Sequence, residues 1–171
     1  MRLVVPSLEL EDAFFAFCND YEQYDVENGQ YYFEGRVSFS DYIQRLCDNV
    51  KGINLKDGYV PCSCFWFMKN DNTIIGAIRI RHNIASEFLE VEGGHIGYDI
   101  APSYRGQGYG KTMLCLALPK AKALGIKRAL ITADEDNWPS RKVIEANGGE
   151  LENIRLGKVF PKPVARYWIT L

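Results

Sequence analysis

Arg105-Gly106-Gln107-Gly108-Tyr109-Gly110-Lys111 lies between a strand-like stretch, Gly94–Ile100, and a helical stretch that starts near Gly108. A glycine-rich turn opening a helix is a phosphate site in waiting. Glycine lets the backbone approach the anion, and the first free N–H groups of the helix point along the positive end of its dipole. Lys111 opposes that dipole in the first turn but suits a polyanion beside it. Spacing excludes two familiar loops. A Walker A loop needs four residues between its glycines, and Gly106 and Gly110 enclose three. The dinucleotide pattern G-x-G-x-x-G fails too, because Gly106, Gly108 and Gly110 fall as G-x-G-x-G.

The spacing that does fit is R-x-x-G-x-G, read as Arg105, Gly108 and Gly110. The segment from Ile96 to Gly110 closely resembles the acetyl-coenzyme A signature of the GNAT superfamily of N-acetyltransferases. Asn137-Trp-Pro-Ser140 and Val143-Ile-Glu-Ala-Asn-Gly-Gly149 resemble that family's later block, so the likeness spans roughly Ile74 to Leu171. Arg81-His82 and Gly93-Gly-His-Ile-Gly-Tyr98 are also similar to a poorly characterised bacterial subgroup of acetyltransferases. The first 73 residues carry no recognisable motif.

Length and composition agree with one domain over residues 1–171. The chain is long enough for a substantial core, and 47% hydrophobic with 25% charged residues is ordinary for a globular protein. A net charge of −2 and a pI near 5.7 argue against nucleic-acid binding through a broad basic face. No run of about 18 apolar residues and no charged-then-apolar leader is present, so neither a membrane partner nor a signal peptide is expected. The cysteines Cys18, Cys47, Cys62, Cys64 and Cys115 are odd in number and scattered. With only His82 and His95 beside them, no zinc site of standard spacing is visible, and a reducing cytoplasm is the expected setting.

Patterning gives the elements. Arg2–Val5 reads as a strand ended by Pro6, and Ser7 as the cap of a helix through about Tyr24 whose apolar residues are Leu10, Phe14, Phe17 and Tyr21. Asn28-Gly29 breaks the pattern, and Ser40 caps a second helix to about Val50. Val60–Met68 and Thr73–Arg81 form a hairpin around Lys69–Asn72. His82–Gly93 is a long connection with a helical turn near Phe88. The helix after the glycine turn buries Met113, Leu116, Ala117, Ala121 and Leu124, and Pro119 should kink or split it. A strand at Lys127–Thr132, a short helix after Pro139 and strands at Leu151–Leu156 and Val164–Leu171 complete the chain. The order β-α-α-β-β-β-α-β-α-β-β predicts an α/β (α+β) fold: a mixed, mainly antiparallel sheet with helices on both faces, as in GNAT proteins.

Acetyl transfer to an amine requires a held cofactor, a neutral amine and a stabilised leaving thiolate. An alkyl ammonium of pKa about 10.4 is roughly 0.1% neutral near pH 7.4, so deprotonation is worth about 4 kcal/mol at the reacting centre. By resemblance, acetyl-CoA is the cosubstrate. Backbone N–H groups from Arg105 through Gly106, Gln107, Gly108, Tyr109, Gly110 and Lys111 would cradle its pyrophosphate. The strand edge at Ile100 would pair with the pantetheine arm, where the strand splays from Lys127–Thr132. Asn137 and Ser140 match positions contacting that arm, and both also suit capping of the helix after Pro139.

The family's proton-donating tyrosine falls at Ile144 and its strand carboxylate near Gly94, so neither usual group is present. Tyr98 shares a strand face with Gly94, Ile96 and Ile100 and is the candidate donor. Glu92 is a candidate base if Gly93-Gly94 bulges, and His95 under the same condition; Arg81-His82 also lines the region. Tyr21–Glu27 and Tyr31–Glu34 mix carboxylates with aromatics, a pattern suited to a cationic amine on a small molecule or peptide. Dimers are common in this family, so a homodimer is among the expected assemblies. An acyl-CoA-binding sensor without turnover is the alternative reading.

Overall fold

The computed structural model describes residues 1–171. Strand β1 (Arg2–Val4) is followed by a 3-10 turn at Leu8–Leu10 and three helices, α1 (Glu11–Tyr24), α2 (Val26–Val37) and α3 (Phe39–Lys51). The hairpin β2 (Cys62–Met68) and β3 (Ile74–Arg81) comes next, then a five-residue π-helical turn at Leu89–Gly93 and β4 (Ile96–Ile100). Helix α4 (Tyr109–Ala123), β5 (Arg128–Asp134), α5 (Trp138–Glu145), β6 (Glu150–Leu156) and β7 (Pro163–Thr170) end the chain. The strands form one sheet in the order β1-β2-β3-β4-β5-β7-β6, antiparallel everywhere except between β4 and β5. That is the expected fold class, with one helix more than the expected order.

The extra helix is α2. Asn28-Gly29 lies inside it rather than breaking the chain, because Gly29 lets α2 pack against α1. A Cβ there would stand 2.7 Å from both Phe33 Cζ and Tyr21 Cβ. Asp25 begins the helix by accepting from the Asn28 amide at 3.3 Å. Ser7 and Ser40 are not caps. Ser7 precedes the 3-10 turn and makes no capping hydrogen bond, and Ser40 sits in the first turn of α3, after Ser38.

Pro119 neither splits nor ends α4. Its missing N–H would have met the carbonyl of Cys115, and both residues are exposed, so water can serve that carbonyl. Leu116 and Leu124 are correspondingly exposed, while Met113, Leu114, Ala117 and Ala121 are fully buried.

Each face of the sheet has its own core. Between the sheet and α4–α5 lie Ile78, Ile80, Ile96, Ile131, Met113, Ile144 and Tyr167. Beneath α1–α3, Trp66 stacks on Phe14 with ring centroids 5.1 Å apart, among Phe17, Tyr21, Tyr32 and Tyr42. Such aromatic pairs contribute about 0.5–1.5 kcal/mol beyond their buried area. On this second face the π-helical turn covers β5 and β7: Thr132 Oγ1 donates to the Glu92 carbonyl, and Arg166 donates to that of Glu90. Between α2 and this turn, Arg79, Arg81, Gly97 and Asp99 remain a partly open strip.

Candidate active site

The Gly106–Lys111 backbone presents unengaged amides at the start of α4, an arrangement that could hold an anion. Gly106 and Gly108 have φ of +74° and +80°, a conformation that only glycine adopts without strain, and a Cβ at either would meet nothing within 4 Å. Arg105 N–H is engaged by the Pro102 carbonyl, but the six amides from Gly106 to Lys111 donate to no group in the protein. They lead into the N-terminus of α4, where the dipole favours negative charge. Gly110 has a different task. Its Cβ would lie 3.1 Å from Val143 Cγ2, so its absence lets α4 approach α5.

The Arg105 side chain turns away from this nest. Its Nε donates to the Ile100 carbonyl at 2.9 Å, its Nη2 pairs with Asp25 Oδ2 at 2.7 Å, and its guanidinium stands over the Tyr21 ring. Burial opposes ionisation of Asp25, but hydrogen bonds from Asn28 and Arg105 win and hold its carboxyl below the usual range. Arg105 therefore clamps the turn to the start of α2. Nothing in the sequence pattern singled out Asp25.

Strands β4 and β5 pair in register only at Ile96 and Ile131, beside the His95 and Leu130 backbone bond, and then separate. Ala101 N–H bonds to Ile75 and His95 C=O to Arg81, so odd-numbered residues of β4 face β3. Alternation then sends the backbone groups of Tyr98 and Ile100 into the gap left by β5. The Ile100 carbonyl is already taken by Arg105 and by the Tyr21 hydroxyl, the latter at 3.2 Å. The free edge thus centres on Tyr98 rather than on the Ile100 carbonyl.

Helix α5 forms the other wall of the gap. Asn137 Oδ1 accepts from the Ser140 amide at 3.1 Å and caps the helix. The Ser140 and Tyr98 hydroxyls are 2.8 Å apart, and the Tyr98 hydroxyl also donates to the Ser140 carbonyl at 3.1 Å. Burial pushes the Tyr98 phenol up to about 12, against the opposing Ser140 hydrogen bond. Ile144, one turn on, is fully buried.

Glu92 and His95 are engaged elsewhere. The Glu92 carboxylate accepts from the amides of Lys158, Val159 and Phe160 at 2.7–3.0 Å, anchoring the β6–β7 loop. Burial works against its charge, but those three donors hold its carboxyl below the usual range. His95 Nδ1 accepts from the Leu130 amide at 2.9 Å, which makes Nε2 the protonated nitrogen of the neutral ring. Burial, and then Arg81, lowers its pKa further.

The acidic stretch near α1 and α2 is largely neutralised from within: Glu22 pairs with Arg36, Asp25 with Arg105 and Glu34 with Arg45. Sequence reasoning missed the polar cluster opposite Tyr98. There Asp99 Oδ2 accepts from Tyr32 at 2.7 Å and from Arg79 Nη2 at 2.6 Å. The odd-numbered face of β4 was its only trace in the sequence. Two surface hollows, one over Asp41–Arg45 and one beside Phe17 and Ser103, include neither Tyr98, Ser140 and Asp99 nor the residues from Gly106 to Lys111.

Comparison with known proteins places this geometry in a family. No curated protein sequence matches the chain. Among solved structures, Mycobacterium smegmatis RimJ in complex with CoA-disulfide superposes with a TM-score of 0.70 at 17% identity, covering 98% of this chain and 80% of that one. A ribosomal-protein-S5-alanine acetyltransferase from Vibrio fischeri gives 0.67 at 20% identity, covering 99% and 91%. The microcin C7 self-immunity acetyltransferase MccE, in complex with acetyl-CoA and AMP, gives 0.65 at 15%, covering 99% and 91%. These likenesses concern the fold. A sequence model of the acetyltransferase (GNAT) domain matches residues 2–150, and the chain belongs to that family.

Proposed function

We propose that this protein is an N-acetyltransferase that moves the acetyl group of acetyl-CoA directly to a primary amine while both are bound. The observation that carries the reading is the run of six unengaged amides from Gly106 to Lys111, opening α4 beside the gap between β4 and β5. Those amides suit a pyrophosphate, with Lys111 as a point charge beside it. The free backbone groups of Tyr98 and the Ile100 amide suit an amide-bearing arm as added-strand partners. MccE in complex with acetyl-CoA supports the same choice of cosubstrate.

When bound, acetyl-CoA supplies an activated thioester. The protein's task is then to orient the two substrates and to manage two protons. Tyr98 holds its proton at neutral pH as any phenol of ordinary value near 10 does, and burial raises it further, to about 12. The Ser140 hydroxyl at 2.8 Å makes the two a relay on the α5 wall, and this pair is the donor we assign to the departing sulfur. Glu92 and His95 are not assigned as base, since their acceptor sites serve the β6–β7 loop and Leu130. The amine instead sheds its proton to water through the open strip between α2 and the π-helical turn.

Thioester turnover across an amine panel, read as free thiol, tests the reading alongside calorimetry with coenzyme A. Amine-dependent thiol release is expected. Tight coenzyme A binding with no amine-dependent thiol above background would instead make the protein a sensor.

A further inference from the structure

On the open strip opposite Tyr98, two guanidinium groups lie side by side with one carboxylate, and that carboxylate pairs with only one of them. Arg79 and Arg81 on β3 both lie over Gly97, whose Cβ would stand 3.7 Å from Arg79 Nη2 and 3.8 Å from Arg81 Nη1. Asp99 neutralises Arg79 through a 2.6 Å ion pair, and Tyr31 stacks over the same guanidinium. Arg81 has no acidic partner. Its Nη1 donates to the carbonyls of Gly93 and Gly94 at 2.7 and 3.1 Å, while its Nε and Nη2 engage nothing in the protein.

We propose that the Arg81 guanidinium anchors an anionic group on the acceptor, so that the amine acetylated here belongs to a small molecule that also carries a carboxylate or a phosphate, as an amino acid does. The inference rests on the acetyltransferase reading above. Two carbonyl contacts fix Nη1 and leave the remaining donors of a rigid, planar fork, the geometry that grips an oxyanion at two points. Gly97 contributes no side chain, so the floor beneath both guanidinium groups is clear. Glu22, Glu34 and Asp25 are tied to Arg36, Arg45 and Arg105, and Glu92 is tied to the β6–β7 loop. The strip therefore carries a surplus positive charge. A polycation would be repelled from it, and an anion would complete it. Burial and the neighbouring Arg79 push Arg81 below its ordinary value, the direction expected of a charge awaiting a partner, although Cys62 opposes the shift.

The test compares matched acceptors. The wild-type protein is given a panel of amino acids against their amides, and O-phosphoethanolamine against ethanolamine. The anionic member of a pair should be favoured roughly 10- to 100-fold in kcat/KM, the range of one charged hydrogen-bonded contact. In Arg81→Gln that preference should collapse towards unity, chiefly through KM. The amino-acid and phosphate arms reveal which anion is preferred. Amides accepted as well as the free acids, or a preference that survives in Arg81→Gln, would overturn the proposal. A second arm needs no turnover: calorimetry of N-acetyl amino acids against their N-methylamides should show binding of the acids alone, lost in Arg81→Gln. Equal binding of the two sets refutes the anchor even if the protein never transfers an acetyl group. Coenzyme A affinity, measured separately, reports on the acetyltransferase reading itself.

Discussion

The Tyr98 hydroxyl on β4 lies 2.8 Å from the Ser140 hydroxyl on α5, bridging the two walls of the gap that β5 leaves. Either oxygen can donate, and the pair holds a proton next to the free edge of β4. If it serves the leaving thiolate, Tyr98→Phe and Ser140→Ala should each lower kcat at least about 10-fold, within the span of general acid catalysis. KM for acetyl-CoA should move less. The double variant should be little worse than either single one, because the two act as a unit. Ile144→Ala should instead cost about 2–5 kcal/mol of stability as a fully buried truncation. Full kcat in Tyr98→Phe across pH would make Tyr98 a core residue and leave the proton to water.

The glycines of the turn separate binding from packing. Gly108→Val places a side chain where nothing stands within 4 Å, at a φ of +80°. Some stability should be lost to strain, about 1–2 kcal/mol. Coenzyme A affinity should fall by at least ~2 kcal/mol, the loss of one or two charge-assisted hydrogen bonds. Gly110→Val should act mainly on stability, because Val143 lies 3.1 Å from the new Cβ. Calorimetry and denaturant midpoints on the two folded variants check this contrast. Unchanged affinity in Gly108→Val would remove the phosphate from the turn.

Much of the fold was legible because the deciding signals are local. The β2–β3 hairpin, the glycine turn and the helix after Pro139 each carry their own punctuation. What failed was punctuation overruled by packing. Asn28-Gly29 reads as a turn, yet its glycine is there to seat Phe33 and Tyr21. Pro119 reads as a break, yet it faces water, where a lost backbone bond is cheap. The candidate site divides the same way. Strand parity put Tyr98 on the face of β4 shared with Ile96 and Ile100, where it meets Ser140, but no local rule reveals that Glu92 reaches across 66 residues to the Lys158 amide. The partners of Arg105 and Arg79 are likewise set by the tertiary fold.

Arg105 offers a test of action at one remove. Its two bonds, to the Ile100 carbonyl and to Asp25, diverge from a planar fork that a lysine ammonium cannot reproduce. Arg105→Lys should therefore weaken coenzyme A several-fold, although the side chain points away from the nest. The carboxyl of Asp25 should return towards its ordinary value in Arg105→Ala, as followed by NMR titration. Because that carboxyl is depressed in the folded state, the stabilisation it gives is present above about pH 4 and fades as pH falls through the folded value. The stability gap between wild type and Arg105→Ala should narrow over that acidic range. A gap that is constant with pH would mean that the ion pair contributes nothing.

The buried phenols set the alkaline limit of the fold. Burial raises the pKa of Tyr21, Tyr32, Tyr42, Tyr98 and Tyr167, with Asp99 adding to the effect at Tyr21, Tyr32 and Tyr98. An unfolded tyrosine titrates near 10. Between that value and the folded one the native state binds more protons than the unfolded state, so stability falls as pH rises. The contribution is complete below about pH 10 and drains away above it, through about 12 in the case of Tyr98. Denaturant midpoints should accordingly hold steady through mildly alkaline pH and drop beyond about 10. Tyrosinate absorbance should show these five of the ten tyrosines ionising late and together with the loss of tertiary structure. If all ten ionise reversibly near pH 10 while the protein stays folded, the phenols are open to water, and neither the aromatic core under α1–α3 nor the proton held at Tyr98 stands as described.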